Sequence, residues 1–457
     1  MKLKKKVMSL GLAAVMVTSL AACGNKGTET AVTENTDVPS INSIAVREDY
    51  KDMKADIKIL TNRTDIVDTV YKGYAEQFME LYPNIKVTYE GITDYEQTLN
   101  LRLTTGDWGD ICFIPTSVSK KDLPKYFISL GDYNELDKIY NFCSEKSYSG
   151  KVYGIANGGT AGGIVYNKRI WNEAGITELP KTPDEFLEDL QIIKDKTDAV
   201  PLYTNFAAAW PMGQWDSYIY VAATGDPDFK NRIIAHAKDP FSKRADMTGP
   251  YAVYYTLYEA VARKLIEDDP ASSDWESSKG LINKGEIATM VLGSWAVGQC
   301  KEAGENPQDI GYMPFPITVN SKQYAGSGGN YAFGINNKAP ADNQIAAMLY
   351  MKWLIEDSSI YEDEGSIPAL KGKPLPDALA DFEGIELLPN NPARDGEEDL
   401  FEDVNNQSEV GLEKDNYPDC EILESALYGT KTLDELMEEW NAKWASAQET
   451  QGVEVNK

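Results

Sequence analysis

A strand, a helix and a second strand are indicated by residues 55–89, which read ADIKILTNRTDIVDTVYKGYAEQFMELYPNIKVTY. Residues 57–60 alternate between apolar and polar side chains as a strand does, and the apolar residues of 67–81 recur at helical spacing. Pro83 stops this helix, and residues 85–89 alternate again. The order strand, helix, strand predicts an α/β fold.

The pattern continues along the chain. A second helix is predicted over 94–104, a third strand over 110–114 and a further β/α region over 150–168. Thr182 and Thr432 each precede a helix as capping residues, with Glu three residues later. We therefore expect mixed, mostly parallel sheets with flanking helices, and ligands at the carboxyl ends of the strands.

Composition excludes several functions. The chain has 457 residues, with 44 Lys and Arg against 72 Asp and Glu, and a formal charge of −28. Such an acidic surface repels phosphate backbones, so we expect no nucleic-acid partner. A single histidine, His236, argues against zinc enzymes and Ser-His-Asp hydrolases. We expect no metal and no cofactor.

The N-terminus predicts export. A basic start, Met1–Lys6, precedes a short apolar run and then Leu20-Ala-Ala-Cys23-Gly, which looks like a bacterial lipobox. Residues 1–22 are predicted to be a signal peptide, Cys23 the lipidated residue, and 23–53 a flexible tether. The alternative is an ordinary signal peptide cleaved near Ala22. We expect a lipid-anchored protein on the surface of a Gram-positive cell.

The remaining cysteines carry no metal-binding spacing. These four residues are far apart in the sequence and are predicted to be buried: Cys112, Cys143, Cys300 and Cys420. One disulfide between two of them is the alternative. The acidic stretch 395–399 does not have the spacing of a calcium loop and is predicted to be solvated.

Four stretches together resemble bacterial extracellular solute-binding proteins of family 1, the maltose-binding-protein-like proteins of carbohydrate ABC transporters. They are, in order, FMELYPNIKV (78–87) leading to GDWGDI (106–111), GKVYGI (150–155) leading to IVYNK (164–168) and LPKTPDEF (179–186), GEIATMVLGSW (285–295), and GGNYAFGI (328–335). Gly109 departs from the family, which often has proline at this position. Their order over about residues 55–450 carries the resemblance.

The resemblance implies a periplasmic-binding-protein fold of the class II type, with two lobes and a hinge between them. The expected N-terminal lobe is 54–156 plus 331–357, and the C-terminal lobe is 157–330 plus 358–450, with crossings near Ala156, Asn330 and Asp357. A carbohydrate, in particular an oligosaccharide, would bind between the lobes and close them. The closed monomer would then dock on ABC permease subunits without catalysing a reaction.

Sugars need aromatic platforms and planar polar groups. The tract Trp210–Asp216 and Trp295 match positions where the family places stacking rings, and Trp215 is preferred there over Trp210. Asp216 ends this tract and is a polar candidate. The other polar candidates follow strand ends or lie at the expected crossings: Asn62, Arg63, Asp65, Thr116, Thr160, Asn330 and Tyr331. Trp108 stands in a loop that could border the site, although a turn at a helix C-terminus explains it slightly better.

Three other interpretations remain open. The same fold could bind a uronate, a polyol or a peptide, in which case Arg63, Lys120 and Lys121 would matter more. A surface glycoside-active enzyme would need two carboxylates about 5–10 Å apart, and no recognisable pair exists. A lipoprotein that senses a glycan without supplying a transporter is the third.

Overall fold

The computed structural model describes residues 38–382, 384–394, 396–414 and 417–456. The predicted signal peptide, Cys23 and the tether up to residue 37 lie outside these ranges. The α-helices are α1 Lys72–Leu81, α2 Tyr95–Thr105, α3 Leu123–Tyr126, α4 Tyr133–Leu136, α5 Lys168–Ala174, α6 Pro183–Lys196, α7 Val221–Thr224, α8 Pro250–Ala262, α9 Trp275–Lys284, α10 Trp295–Glu302, α11 Ala341–Glu356, α12 Ile360–Asp363, α13 Leu400–Ser408, α14 Tyr417–Tyr428 and α15 Leu433–Gln451. The strands are β1 Ala55–Thr61, β2 Ile85–Gly91, β3 Ile111–Phe113, β4 Gly131–Asp132, β5 Ser147–Tyr148, β6 Lys151–Val152, β7 Ile155–Ala156, β8 Gly159–Ala161, β9 Ile164–Asn167, β10 Thr289–Val291, β11 Ile310–Met313, β12 Thr318–Val319, β13 Lys322–Gly329, β14 Ala332–Ile335 and β15 Glu386–Pro389.

The first sheet has the strand order β2-β1-β3-β14-β7. Strand β1 is parallel to β2 and β3, whereas β14 is antiparallel to β3 and β7. The register pairs Phe113 with Phe333 and Ala332 with Ala156. The carboxyl ends of β1, β2, β3 and β7 therefore meet the amino end of β14 along one edge, which we call the cleft edge.

A first hydrophobic cluster surrounds this sheet and includes Phe78 and Trp353. The predicted helix over 67–81 is α-helical only from Lys72, because 67–71 form a wider π-helical turn. Ile41 and Ile44, which lie within the predicted tether, are buried in this cluster. Residues 38–53 thus belong in part to the folded body.

The second sheet has the order β10-β9-β11, and both of its pairs are antiparallel. This differs from the mostly parallel pairing expected, since an apolar run reveals a strand and not the direction of its neighbours. A second hydrophobic cluster includes residues from α6, α8 and α15. Thr182 accepts the Glu185 N–H, and Thr432 and Glu435 form a complete capping box. Within the described ranges, no helix is both long and apolar enough to cross a bilayer.

Strands β8 and β13 pair antiparallel between the two sheets, with Gly159 opposite Gly329, and β15 pairs with β13. We call β8 and β13 the crossing strands. After α11, Ile360 and Ala369 still pack in the first cluster, so the chain leaves it later than the expected position near Asp357. The chain after α12 also contributes β15.

Candidate functional site

The loop after β1 lies at the cleft edge and carries three of the predicted residues. The Arg63 guanidinium bonds the Asp65 carboxylate through Nε at 3.0 Å and Nη2 at 2.9 Å, and its Nη1 lies 3.3 Å from Glu364. Burial raises the pKa of Glu364, and Arg63 opposes that rise. The Asn62 amide oxygen is buried and has no hydrogen-bond partner within the described residues. Arg63 is therefore already neutralised by two carboxylates.

Thr116 and Tyr331 are joined through a residue that was not predicted, Glu96. Its carboxylate accepts the Thr116 N–H at 3.1 Å and the Tyr331 hydroxyl at 2.8 Å. The Tyr331 ring stacks on Phe113 at 5.6 Å with an interplanar angle of 13°. Two predicted residues from distant parts of the chain thus meet at the cleft edge, where both are hydrogen-bonded to Glu96 of α2.

The crossing strands approach each other closely. A Cβ on Gly159 would lie 2.3 Å from the Phe142 ring, so only glycine fits there. The Asn330 N–H donates to the Gly158 carbonyl, and its side-chain amide donates to Ser366 Oγ at 3.1 Å. Asn330 therefore fastens the crossing strands to the segment after α12.

Thr160 and Trp295 meet on the other side of the crossing strands. The hydroxyls of Thr160 and Ser294 are hydrogen-bonded at 3.0 Å, and Ser294 Oγ accepts the Ala161 N–H at 3.0 Å. A Cβ on Gly293 would lie 2.5 Å from the Trp295 indole nitrogen and 3.1 Å from Thr160 Oγ1. The indole of Trp295 thus lies directly beside the crossing strand.

Three indoles form one group next to this point, and we call Trp210, Trp275 and Trp295 the indole corner. The ring centroids of Trp210 and Trp275 are 5.1 Å apart at 83°, and those of Trp210 and Trp295 are 5.6 Å apart at 47°. Trp275 and Trp295 are 5.8 Å apart at 64°. Trp210 remains 39% exposed, which is a large apolar area left in contact with solvent. The arrangement presents aromatic surface in more than one plane.

Trp215, preferred in the sequence over Trp210, lies in the core. It is 1% exposed and packs edge-on against Phe315 at 5.8 Å. Asp216 is also fully buried, where it accepts the Tyr254 hydroxyl at 2.7 Å and the Glu413 N–H at 2.6 Å. The reason is local: residues 212–218 form a 3₁₀ helix that turns these two side chains inward and leaves Trp210 outside.

Trp108 is likewise a core residue. It is 2% exposed, packs against Phe127 at 5.5 Å and precedes β3, at the end of the strand opposite the cleft edge. The interpretation of this residue as part of a helix-terminal turn agrees with the structure, since Gly106 ends α2 in the left-handed conformation.

A group of charged residues lies beside the crossing strands, and of its members the sequence analysis named only Lys120. Glu145 accepts the Gly329 N–H at 2.7 Å. Burial raises the pKa of Glu145, while the Gly329 N–H and Lys146 oppose that rise. Burial also lowers the pKa of Lys120 and of Lys146, and Glu145 counteracts both shifts. Glu145 thus partly offsets the charges of the two lysines.

Other contributors also had no signal in the sequence. Trp275 starts α9 beside the capping residue Asp274, and nothing in its spacing connects it with Trp210. Asn157, at the first crossing, is 6% exposed, and its amide oxygen has no partner within the described residues. Among all the residues that the structure describes, no group of three or more His, Cys, Asp or Glu side chains is arranged to hold a metal ion.

Comparisons with known proteins agree with this architecture. The model of the family described as bacterial extracellular solute-binding protein matches residues 63–359. A binding protein of an ABC transporter from Bifidobacterium animalis subsp. lactis, solved with mannobiose, is 47% identical with a TM-score of 0.85, covering 90% of this chain and 99% of that one. A manno-oligosaccharide-specific solute-binding protein from the same organism, solved with mannotriose, is 46% identical with the same score and coverage.

Among curated proteins, a maltotriose-binding protein of Pyrococcus abyssi is 22% identical over 66% of this chain and 63% of its own length. The diacetylchitobiose-binding protein of Streptomyces coelicolor is 29% identical over 48% of this chain and 52% of its own length. This chain therefore matches only about half to two thirds of the length of these two relatives. The two-lobed α/β fold expected from the sequence is confirmed, and the chain belongs to the bacterial extracellular solute-binding proteins.

Proposed function

We propose that this protein captures a manno-oligosaccharide between its two lobes and delivers it to an ABC permease. The observation that carries the proposal is the 47% identity, over 90% of the chain, with a transporter-binding protein that was solved with mannobiose. The indole corner supports it, because pyranose rings expose apolar C–H faces that stack on aromatic rings.

The charges at the site favour a neutral sugar over a uronate. Arg63 is paired with Asp65 and Glu364. Lys230, whose charge acts on Glu145 beside the crossing strands, is paired with Glu413 at 2.5 Å. A carboxylate ligand would have to displace one of these acids or be buried beside it, which is costly. Neutral hydroxyls can instead bond to paired charges without adding net charge to the cleft.

We place the N-terminal lobe at residues 54–156 plus the segment from 331, and the C-terminal lobe at 157–330 plus the chain that follows the last crossing. The packing of Ile360 and Ala369 in the first cluster supports a last crossing after Ala369 in place of Asp357. A ligand that contacts both lobes would favour the closed form by its additional contacts there.

The family is extracytoplasmic. We propose that Cys23 carries a lipid that anchors the protein to the membrane of a Gram-positive cell, and that it works as a monomer with the permease subunits as partners. A lipid at Cys23 would keep the receptor close to the permease, which raises its effective concentration there. Mass spectrometry of the mature N-terminus from membranes tests this anchor.

Calorimetry on the anchor-free protein tests the ligand. We expect mannobiose and mannotriose to bind, and maltotriose, diacetylchitobiose, raffinose and oligogalacturonate to bind at least tenfold more weakly. The sugar should be recovered intact, because the protein is proposed to bind and not to cleave. Trp295→Ala should weaken binding, whereas Tyr428→Ala, at a 71% exposed ring on α14, should not. Selective binding of a different sugar would contradict the proposed substrate, and a shortened product would contradict the binding function.

A further inference from the structure

Trp210 is held by an unusual turn in the residue before it. We propose that a strained γ-turn at Ala209 positions the Trp210 indole as a preformed wall of the sugar site, which makes Ala209 a positioning residue. This inference rests on the proposed function and adds to it a device that fixes the geometry of the indole corner.

The backbone of Ala209 has φ +61° and ψ −57°. The Trp210 N–H donates to the Ala208 carbonyl at 2.8 Å, which closes a γ-turn around Ala209. γ-turns with a positive central φ are rare and strained, particularly for a residue that has a Cβ. Strain of this kind persists only where the surrounding structure enforces it, and it is concentrated at functional sites.

The segment before the turn is fastened at two points. Glu267 accepts the Thr204 N–H at 2.9 Å and the Thr204 hydroxyl at 2.5 Å, in a position that is 7% exposed. Further along, the Ala207 N–H donates to Ser273 Oγ at 2.9 Å. These bonds fix the chain as far as Ala207, so the path to the Trp210 backbone is determined within two residues.

The segment after the turn is also restricted. The Met212 N–H donates to the Ala209 carbonyl at 2.9 Å, and Pro211 has a fixed φ. Met212 itself is fully buried in the second cluster. The chain must therefore pass from one fixed point to another in a few residues, and the γ-turn is what this short connection requires.

The consequence is an exposed ring with little freedom. Trp210 is 39% exposed, yet its indole contacts both Trp275 and Trp295, which also contact each other. A side chain that is ordered before binding loses less entropy when the ligand arrives, which strengthens binding without any new contact. The strained turn at Ala209 thus preorganises the stacking surface.

Ala209→Gly tests the proposal, because glycine adopts positive φ without strain and also gives access to other conformations. We expect an unchanged or higher melting temperature, a three- to tenfold weaker affinity for mannotriose, a faster dissociation rate and stronger acrylamide quenching of tryptophan emission without ligand. Lys264→Gly is the matched control: Lys264 is exposed with φ +58°, and this variant should alter neither the affinity nor the quenching.

Trp210→Ala separates the contribution of the indole itself from the positioning role of Ala209. If Ala209→Gly binds and quenches like the native protein while Trp210→Ala loses affinity, the positioning role of Ala209 is refuted. If the native protein binds mannotriose and neither variant changes its affinity, Trp210 is not a wall of the site although the proposed function stands. If no sugar binds the native protein, the proposed function fails, and unchanged quenching in Ala209→Gly would refute the rigid turn independently.

Discussion

The Lys121 ammonium lies 3.3 Å from a carboxylate oxygen of Asp399. Lys121 is next to α3, whose Leu123 packs in the first hydrophobic cluster, and Asp399 precedes α13, whose Phe401 packs in the second. The pair therefore connects the two cores directly, at a distance of 278 residues along the chain. Both side chains are about half exposed, so water and salt reach the pair.

Reversal of one charge in this pair should weaken ligand binding. Lys121→Glu places two carboxylates together where the two cores are connected, and we expect a roughly two- to fivefold higher Kd for mannotriose in low salt. The effect should shrink at high ionic strength because exposed charges are screened. Calorimetry at two salt concentrations measures both effects.

The double variant Lys121→Glu/Asp399→Lys should restore the affinity. Lys322 and Glu386 provide a matched control, since they are 3.4 Å apart with similar exposure but lie on the paired strands β13 and β15. Lys322→Glu should leave the Kd unchanged. An equal loss in both reversals would mean that the net charge of the protein, and not the connection between the cores, is responsible.

Two tryptophans five residues apart should respond in opposite ways to replacement by alanine. Trp215→Ala leaves a large cavity beside Phe315 and should lower the free energy of unfolding by about 3–5 kcal/mol. Trp210→Ala should cost far less stability, because the ring is 39% exposed, but should weaken sugar binding. Chemical denaturation and calorimetry separate these results. Normal stability of Trp215→Ala would contradict its place in the core.

Stability should depend on pH through a buried carboxyl. Burial raises the pKa of Asp216 to about 7, while the Glu413 N–H and the Tyr254 hydroxyl oppose the rise. The charge of Glu413 adds to the rise and that of Lys230 opposes it, while burial and the neighbouring Asp216 raise the pKa of Asp419. A raised pKa means that the folded state holds the proton more tightly, so this contribution is complete below about pH 4 and is lost as the pH rises towards 7.

Asp216→Asn should therefore flatten the fall in unfolding free energy between pH 4 and 7, by up to about 1.4 kcal/mol per pH unit for one proton. Urea denaturation at several pH values measures the slope. Asp189→Asn provides a comparison at a more accessible carboxyl. Burial raises the pKa of Asp189 to about 6. An unchanged slope in Asp216→Asn would show that Asp216 is ionised in the folded protein.

The cysteines in the described residues should differ in reactivity. Cys112, Cys143 and Cys300 are buried free thiols, whereas Cys420 is partly accessible. Burial raises the pKa of Cys300 to about 12 and that of Cys420 to about 11, so thiolate is scarce at both. In a protein that starts at Gly24, we expect one slowly reacting thiol in the native state and four in denaturant. Fewer than four in denaturant would indicate a disulfide.

Much of the local structure was predictable from residue patterns. The alternation in 57–60 and 85–89, the second helix over about 94–104 and the caps at Thr182 and Thr432 all appear where expected, because neighbouring residues determine them. The lipobox at Cys23 is equally local and stays a prediction. The family and the two-lobed fold followed from four short stretches in a fixed order.

The site itself needed tertiary structure. Trp210 and Trp215 are equally aromatic and five residues apart, but the 3₁₀ helix over 212–218 buries one while the turn at Ala209 exposes the other. Trp275 joins Trp210 only because separate segments fold to the same place. The sequence by itself determined the elements, the family and the predicted export, since these depend on local patterns. Tertiary structure decided which aromatic and charged side chains meet, because burial and pairing depend on contacts between residues far apart in the chain.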